Sequence, residues 1–165
     1  MTGKIFAIDP GNIESGFVVV EHDGQRITRV LDKGKIDNYE LLEIVKSAPG
    51  DHDLAVEMVA SYGMAVGAEV FETCVWIGRY LQATNSSRVE RIYRRDEKLF
   101  LCGNMGAKDS NIAQALADRF APGEPNHGKG TKKEPGFFYG FSKDMWAAMA
   151  VATTYFDKYI RGLKY

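Results

Sequence analysis

The feature that most constrains this chain is a short apolar run that ends in an acid and a turn. Residues 4–8 have the pattern of a buried strand, Asp9, Pro10 and Gly11 follow directly, and a second apolar run covers residues 16–22. A carboxylate at the tip of a buried strand costs free energy unless it gains an ion-pair partner or a metal ion. An acid after a strand is often only a turn former, so the question is whether the chain supplies Asp9 with such partners.

Hydrophobic periodicity predicts an α/β fold, with a mixed five-stranded sheet flanked by helices in a single domain over residues 1–165. Residues 26–36 add a third strand to the first two and complete a meander. The rest is predicted as helix 39–46, strand 54–58, loop 59–67, helix 68–83, strand 89–93, a short helix or turn at 98–102, helix 110–120, a mobile loop at 121–141 and helix 143–160.

Composition gives no sign of a strongly basic nucleic-acid-binding protein or of a zinc-binding protein. The net charge of −1 gives no global basicity of the kind that announces nucleic-acid binding. Basic residues do cluster within 88–98 and 129–143, which has meaning only if these segments flank a site. The 2 cysteines and 3 histidines show no zinc-binding spacing.

The same features predict where the protein acts. The first residues lead straight into a strand, without the basic and apolar regions of a secretory signal. No apolar run approaches the roughly 18 residues of a membrane span, so no membrane partner is expected. We expect reduced thiols and a cytoplasmic location.

Two further acids stand where they can join Asp9. Glu57 ends the apolar strand 54–58, and Asp144 lies in the first turn of the last helix. If the first and fourth strands are neighbours, Asp9 and Glu57 lie side by side and repel each other unless a divalent cation neutralises them. Three acids on strand, strand and helix suit two Mg²⁺ or Mn²⁺ ions about 4 Å apart, which grip a phosphodiester.

These segments resemble a known family. "IDPGNIESGFVVV", "LAVEM" and "KDMWAAMAVATTY" are similar to RuvC-type Holliday-junction resolvases of the RNase H-like superfamily. "VEMVASYGMAVGAEVFETCVWIGRY", "LCGNMGAKDSNIAQALADRF" and "GTKKEPGFFYGFSKDMWAA" resemble a branch encoded by phages and prophages. The resemblance covers most of the chain. It implies a metal-dependent endonuclease that cuts branched DNA, with Asp9, Glu57 and Asp144 in three of four acidic positions.

The chain departs from the family pattern at the fourth acid. The typical helix carries an Asp three residues after the third acid, where this sequence has Ala147. A shift by one turn would make Asp144 the fourth acid and leave Phe141 in third place. Asp109 is a possible replacement, although helix geometry alone does not bring it to the site.

The resemblance also suggests residues that contact DNA. Lys108 takes the place of a family lysine that stabilises phosphate charge near the site. The family's junction-probing aromatic falls at Ala60 in this sequence, so Tyr62 or Met58 would have to substitute for it. Lys132 and Lys133 lie just before the last helix and suit a clamp on the DNA backbone. The helix at 68–83 corresponds to a two-fold interface, so a homodimer is expected.

Other functions remain open from the sequence. A less selective nuclease acting on flaps, forks or RNA fits the same acids, because contacts to the phosphate backbone carry no sequence information. A protein that binds junctions without cutting them is consistent with Ala147. An actin-like or sugar-kinase ATPase also begins with a strand ending in Asp-x-Gly, but it needs a second such motif. A generic structural protein is the remaining alternative.

Overall fold

The computed structural model describes residues 2–165. Its sheet has five strands, and five α-helices flank it. The strands are β1 Gly3–Asp9, β2 Glu14–His22, β3 Ile27–Asp37, β4 His52–Met58 and β5 Val89–Tyr93. The helices are α1 Asn38–Ser47, α2 Ala68–Ala83, α3 Arg94–Cys102, α4 Asp109–Phe120 and α5 Lys143–Tyr155, the last extended by a π-helical turn over Phe156–Ile160.

The sheet is mixed, as the sequence predicts. Its order is β3-β2-β1-β4-β5; β1 pairs antiparallel with β2 and parallel with β4, and β5 is parallel to β4. The tight connection between β1 and β2 makes a hairpin, whereas α1 carries the chain across from β3 to β4. The predicted fold class, an RNase H-like mixed sheet flanked by helices, is confirmed.

Alternation along β1 divides the core into two layers. Ile5 and Ala7 belong to one buried cluster with α4 and α5, whereas Phe6 and Ile8 belong to another with α1 and α2. Successive side chains of a strand point to opposite faces, so a central strand covered on both sides must be apolar throughout. The same alternation sends the Asp9 side chain to the face that α5 covers.

Two predicted segments differ from the structure. The predicted short helix or turn at 98–102 is the second half of α3, which begins directly after β5 at Arg94. The segment 121–141 is irregular, but it is anchored rather than loose. Phe138 and Phe141 are buried, and a bridge pairs Gly130 with Pro135.

No helix among residues 2–165 is both long and apolar enough to cross a membrane. Cys74 and Cys102 are free thiols in the described part of the chain.

Candidate active site

Sheet register brings the first two acids together. Ile8 pairs with Val56 across the parallel β1–β4 ladder, so the next residues, Asp9 and Glu57, are neighbours at the carboxyl ends of adjacent strands. Glu57 is two residues after Ala55 on β4, so the two side chains lie on the same face of the sheet, and Ala55 belongs to the buried cluster that contains α5. Both carboxylates therefore project toward the face on which α5 packs.

The third acid arrives with α5. Gly16 is paired with Asp9 across the β1–β2 hairpin, and it touches the backbone of Asp144. A Cβ atom on Gly16 would lie 2.5 Å from the Asp144 carbonyl oxygen, so only glycine permits this approach. Glycine at this position is therefore part of how the fold delivers Asp144 to Asp9.

The acids surround one open cavity of about 590 Å³. All three predicted acids line it, and so do a basic residue from α3 and the first turns of α4 and α5. The lining residues are Asp9, Glu57, Arg94, Asp109, Ser110, Ile112, Ala113, Lys143, Asp144, Trp146 and Ala147.

The carboxylates perturb one another strongly. Burial raises the pKa of the Asp9 carboxyl to about 8, and the charges of Glu57 and Asp144 contribute to the rise. Burial also raises the pKa of Glu57 well above its usual range, with a further contribution from Glu97. The Arg94 charge opposes both rises without cancelling them. The cluster thus favours bound protons or an added cation at neutral pH.

Glu97 is a buried acid that the sequence analysis did not single out. Its side chain is fully buried on the first turn of α3, and neither carboxylate oxygen accepts a hydrogen bond within residues 2–165. Its ion-pair partner is Arg94, with Nη1 3.5 Å from Glu97 Oε1. The segment "RRDEK" reads as a solvated basic run. Only its i, i+3 spacing of Arg94 and Glu97 offers a signal that the two share a helix face.

A metal site fits the chemistry of these residues, and its geometry requires a small rearrangement. The donors are hard carboxylate oxygens, which Mg²⁺ prefers, and their raised pKa values show that the charge around Asp9 is not compensated. Asp144, however, forms an ion pair with Lys35, whose Nζ is 3.0 Å from its Oδ2. Among the described residues, no three His, Cys, Asp or Glu side chains are grouped closely enough to hold an ion as they stand.

Ala147, where the resemblance calls for a fourth acid, also lines the cavity. It lies one turn after Asp144, so a carboxylate at that position would face the other acids. Asp109 lines the same cavity from the start of α4, where it is bonded to Arg94. Helix geometry alone does not bring Asp109 to the site, as expected; the packing of α4 against α3 does.

The predicted basic residues lie outside this lining. Lys108 immediately precedes α4, exposed, and its backbone N–H donates to Asn111 Oδ1 at 2.9 Å. Lys132 and Lys133 are exposed at the tip of a small hairpin that Thr131 closes by donating its N–H to the Glu134 carbonyl at 3.0 Å. These lysines are thus positioned for contacts beyond the cavity.

That small hairpin is anchored beside the cavity by aromatic packing. Trp146, which lines the cavity, has its ring centroid 4.3 Å from that of Phe138 and 5.3 Å from that of Phe141. The hairpin connects directly to this cluster, because Phe138 donates its N–H to the Gly128 carbonyl. The base of the hairpin is therefore held against the aromatic cluster that includes Trp146, and the two lysines lie at its exposed tip.

Tyr62 occupies the tip of a tight turn after β4. Met64 donates its N–H to the Ser61 carbonyl at 2.9 Å, and Tyr62 and Gly63 both have positive φ, 50° and 79°. A left-handed conformation is unfavourable for tyrosine. The turn nevertheless leaves Tyr62 65% exposed, so its ring is available to a partner.

Solved structures with a similar fold are known. No protein-family model matches the sequence, and no curated protein matches it. A Thermus thermophilus RuvC structure matches with a TM-score of 0.66 and 21% identity, covering 96% of each chain. T. thermophilus RuvC in complex with Holliday junction substrate matches with a TM-score of 0.69 and 18% identity, over 97% of this chain and 96% of the other. The chain has the RuvC fold. At this level of identity the RuvC likeness establishes architecture, and residue roles must come from the site itself.

Proposed function

We propose that this protein is a metal-dependent endonuclease that cleaves phosphodiester bonds in branched DNA such as Holliday junctions. The observation that carries the proposal is the cavity in which β1, β4 and α5 bring together Asp9, Glu57 and Asp144 on a RuvC fold. RuvC itself has been seen in complex with a Holliday junction substrate.

The residues that would hold Mg²⁺ or Mn²⁺, two ions per site, are Asp9, Glu57 and Asp144. When bound, such ions acidify water and stabilise the charge that develops on a phosphate and on its leaving oxygen. Asp9 lies beside both other acids, since β1 pairs with β4 and with the strand that contacts Asp144, so it would contribute to holding either ion. Its carboxyl must lose its proton first, so binding is favoured as pH rises through its pKa of about 8. Asp144 would have to release its ion pair with Lys35 before it could hold a metal ion.

The reaction adds water across the bond between phosphorus and the 3′ oxygen, and it leaves a 3′ hydroxyl and a 5′ phosphate. The acids position the ions, and the attacking water's proton passes to solvent or to a neighbouring carboxylate. Lys108 is proposed to stabilise phosphate charge from the start of α4, where it neighbours the cavity residue Asp109.

Contacts outside the cavity would hold the DNA. Lys132 and Lys133 project from the anchored hairpin and are proposed to bind backbone phosphates. Tyr62, exposed on its turn, is proposed to stack on a base at the branch point. Contacts to the DNA backbone and base stacking are compatible with any base sequence. This arrangement would therefore recognise the branched structure of the DNA more strongly than its base sequence.

The wider setting belongs to the same proposal. We propose a single nuclease domain that acts as a homodimer in the cytoplasm of a bacterium or of a phage-infected host, and that belongs to the phage and prophage branch of the resolvases. The quoted sequence segments support the branch, and a symmetric junction with two strands to cut suits a pair of identical sites.

A second candidate function is junction binding without cleavage. Ala147 favours it, because this residue lines the cavity at the position where the resemblance calls for a carboxylate. One fewer oxygen ligand weakens metal affinity, and the chain would then hold branched DNA and leave its chemistry to another protein. A flap, fork or RNA nuclease uses the same acids and differs only in its substrate.

Cleavage of a synthetic four-way junction tests these alternatives. We expect paired nicks with Mg²⁺ or Mn²⁺, little cutting of a linear duplex or flap, and loss of cutting in Asp9→Asn. Asp32→Asn, an exposed acid on the edge strand β3, is the matched control and should cut normally. Tight binding without nicks in either metal would contradict the nuclease proposal and support the binding protein. Equal cutting of all substrates would contradict junction selectivity.

A further inference from the structure

Arg94 lies at the site as a direct result of topology. Tyr93 ends β5 opposite Met58, the last residue of β4, and α3 begins without a connecting loop. Arg94 therefore lies next to the end of the strand that carries Glu57, and it lines the same cavity. Lys143 is the other basic residue in that lining, and no ion pair within the described residues holds it in place.

Two carboxylates hold the Arg94 guanidinium, and they differ in burial. Glu97 is fully buried and contacts Nη1 at 3.5 Å, whereas Asp109 is bonded to Nη2 and has a side chain 72% exposed. Burial raises the pKa of the Glu97 carboxyl, and the Arg94 charge opposes that rise. Glu97 has no other ion-pair partner among residues 2–165, so losing Arg94 would leave a buried carboxyl without its compensating cation. The exposed pair with Asp109 costs little to break. One side of the guanidinium is thus fixed and the other is exchangeable.

A planar guanidinium with one fixed side is preorganised for a phosphate. Its remaining N–H groups match two phosphate oxygens, and its partner Glu97 limits the conformations it must lose on binding. The Arg94 side chain is 30% exposed and lines the cavity, so a ligand that enters the cavity can reach it. An arginine that served only to neutralise Glu97 would not need to line the cavity.

We propose that Arg94 binds a phosphate of the nucleic acid in the active-site cavity, exchanging its bond to Asp109 for the phosphate while Glu97 keeps the guanidinium in position. This assignment rests on the proposed function and names the basic residue that contacts the substrate inside the site. Glu97 is then a positioning residue, and Asp109 occupies the phosphate position in the free protein.

A double variant separates phosphate binding from charge compensation. Arg94→Gln alone leaves Glu97 buried and unpaired, whereas Arg94→Gln with Glu97→Gln removes both charges. We expect the double variant to melt near the wild-type temperature, to cleave the junction at least about tenfold more slowly, and to lose about one unit from the salt slope of junction binding measured with Ca²⁺. Wild-type cleavage and slope in the double variant would overturn the assignment.

Two further variants keep the test decisive if the double variant unfolds. Arg94→Lys retains a charge for Glu97 and loses the planar fork, so cleavage should fall severalfold at an unchanged melting temperature. A wild-type rate would overturn the assignment. Arg91→Gln, at an exposed position on β5, is the matched control and should behave as wild type.

Wild-type measurements distinguish the two proposals. If the wild-type protein binds the junction but does not cut it, the nuclease proposal fails, and the salt slopes still test Arg94. If it cuts and the Arg94 variants match it in rate and slope, only the Arg94 assignment fails. If it neither binds nor cuts, both proposals fail.

Discussion

Asp9 combines burial with like charges, and this makes the free site pH-sensitive. An unfolded chain titrates this carboxyl near its usual value of about 3.9. The folded protein holds the proton up to a pKa of about 8, because burial and the charges of Glu57 and Asp144 disfavour the anion. Between these values the folded state binds more protons than the unfolded state, so stability must fall as pH rises.

We therefore expect the metal-free protein to lose stability between about pH 4 and pH 8 through Asp9, and Asp9→Asn to remove this loss. At pH 8 in EDTA the variant should exceed wild type in free energy of unfolding by more than about 1 kcal/mol. Urea unfolding at pH 5 and pH 8 measures the difference. Asp32→Asn, which changes an exposed acid, should leave the pH dependence as it is in wild type. The same result from both variants would contradict the role of Asp9.

Gly16 shows how a residue without a side chain contributes to the site. Its Cα hydrogen faces the Asp144 backbone, and an added methyl group would overlap the carbonyl oxygen. The collision involves two backbones, so no rotamer change relieves it.

Gly16→Ala should destabilise the protein by about 1–3 kcal/mol and reduce cleavage, because α5 must move away from β2 and take Asp144 with it. Thermal melting and junction cleavage measure the two effects. Gly67→Ala is the control, since a Cβ there meets nothing within 4 Å, and it should melt as wild type does. A fully active, fully stable Gly16→Ala protein would refute the close approach.

At the scale of elements, the site residues on α3 could not be predicted from the local sequence, whereas the three acids could. The sequence indicates Asp9, Glu57 and Asp144 because each acid follows or heads an element with clear periodicity. The first turn of α3 is polar, and ion pairs with distant residues hold it in place, such as Asp96 with Lys158 Nζ at 2.8 Å. A hydrophobic pattern predicts the local secondary structure. It does not predict which residues of α4 or α5 pair with the polar residues of α3, because only the tertiary fold brings them together.

The segment 121–141 is predicted as a mobile loop, and here too the sequence pattern does not reveal the tertiary contacts. Its glycines and prolines indicate a loop, and the regular structure within it is a three-residue 3₁₀ turn, Asn126–Gly128, and the bridge between Gly130 and Pro135. Mobility does not follow, because Phe138 is fully buried and stacks near Trp146. Aromatic residues spaced irregularly give no periodic signal, although they anchor the segment as firmly as a helix would.

At the scale of the whole molecule, α2 carries apolar side chains that the monomer leaves exposed. Phe71 is 62% exposed and Val75 is 55% exposed, while Trp76 and Ile77 on the opposite side are buried against the sheet. Val75 also lines a shallow groove with residues of α1. Exposed apolar groups on an otherwise charged surface favour a second copy as the partner, which fits the proposed homodimer.

Phe71→Glu should convert the protein to a monomer that remains folded, because the substitution puts charge at the proposed interface and leaves the core untouched. Sedimentation velocity measures the mass, and the monomer should bind junctions more weakly than the dimer. Leu31→Glu, at an exposed position on β3, is the control and should stay dimeric. A wild-type protein that sediments as a monomer at 50–100 µM would refute the interface.

The dispersed origin of the three acids has a consequence for the cell that makes the protein. Asp9, Glu57 and Asp144 are far apart in the sequence, and α5 supplies both the third acid and the cover over one face of β1. A chain still emerging from the ribosome therefore has neither a finished core nor a finished site. If the protein is the nuclease proposed above, cutting ability would appear only with the completed fold, and an unfinished chain could not damage DNA.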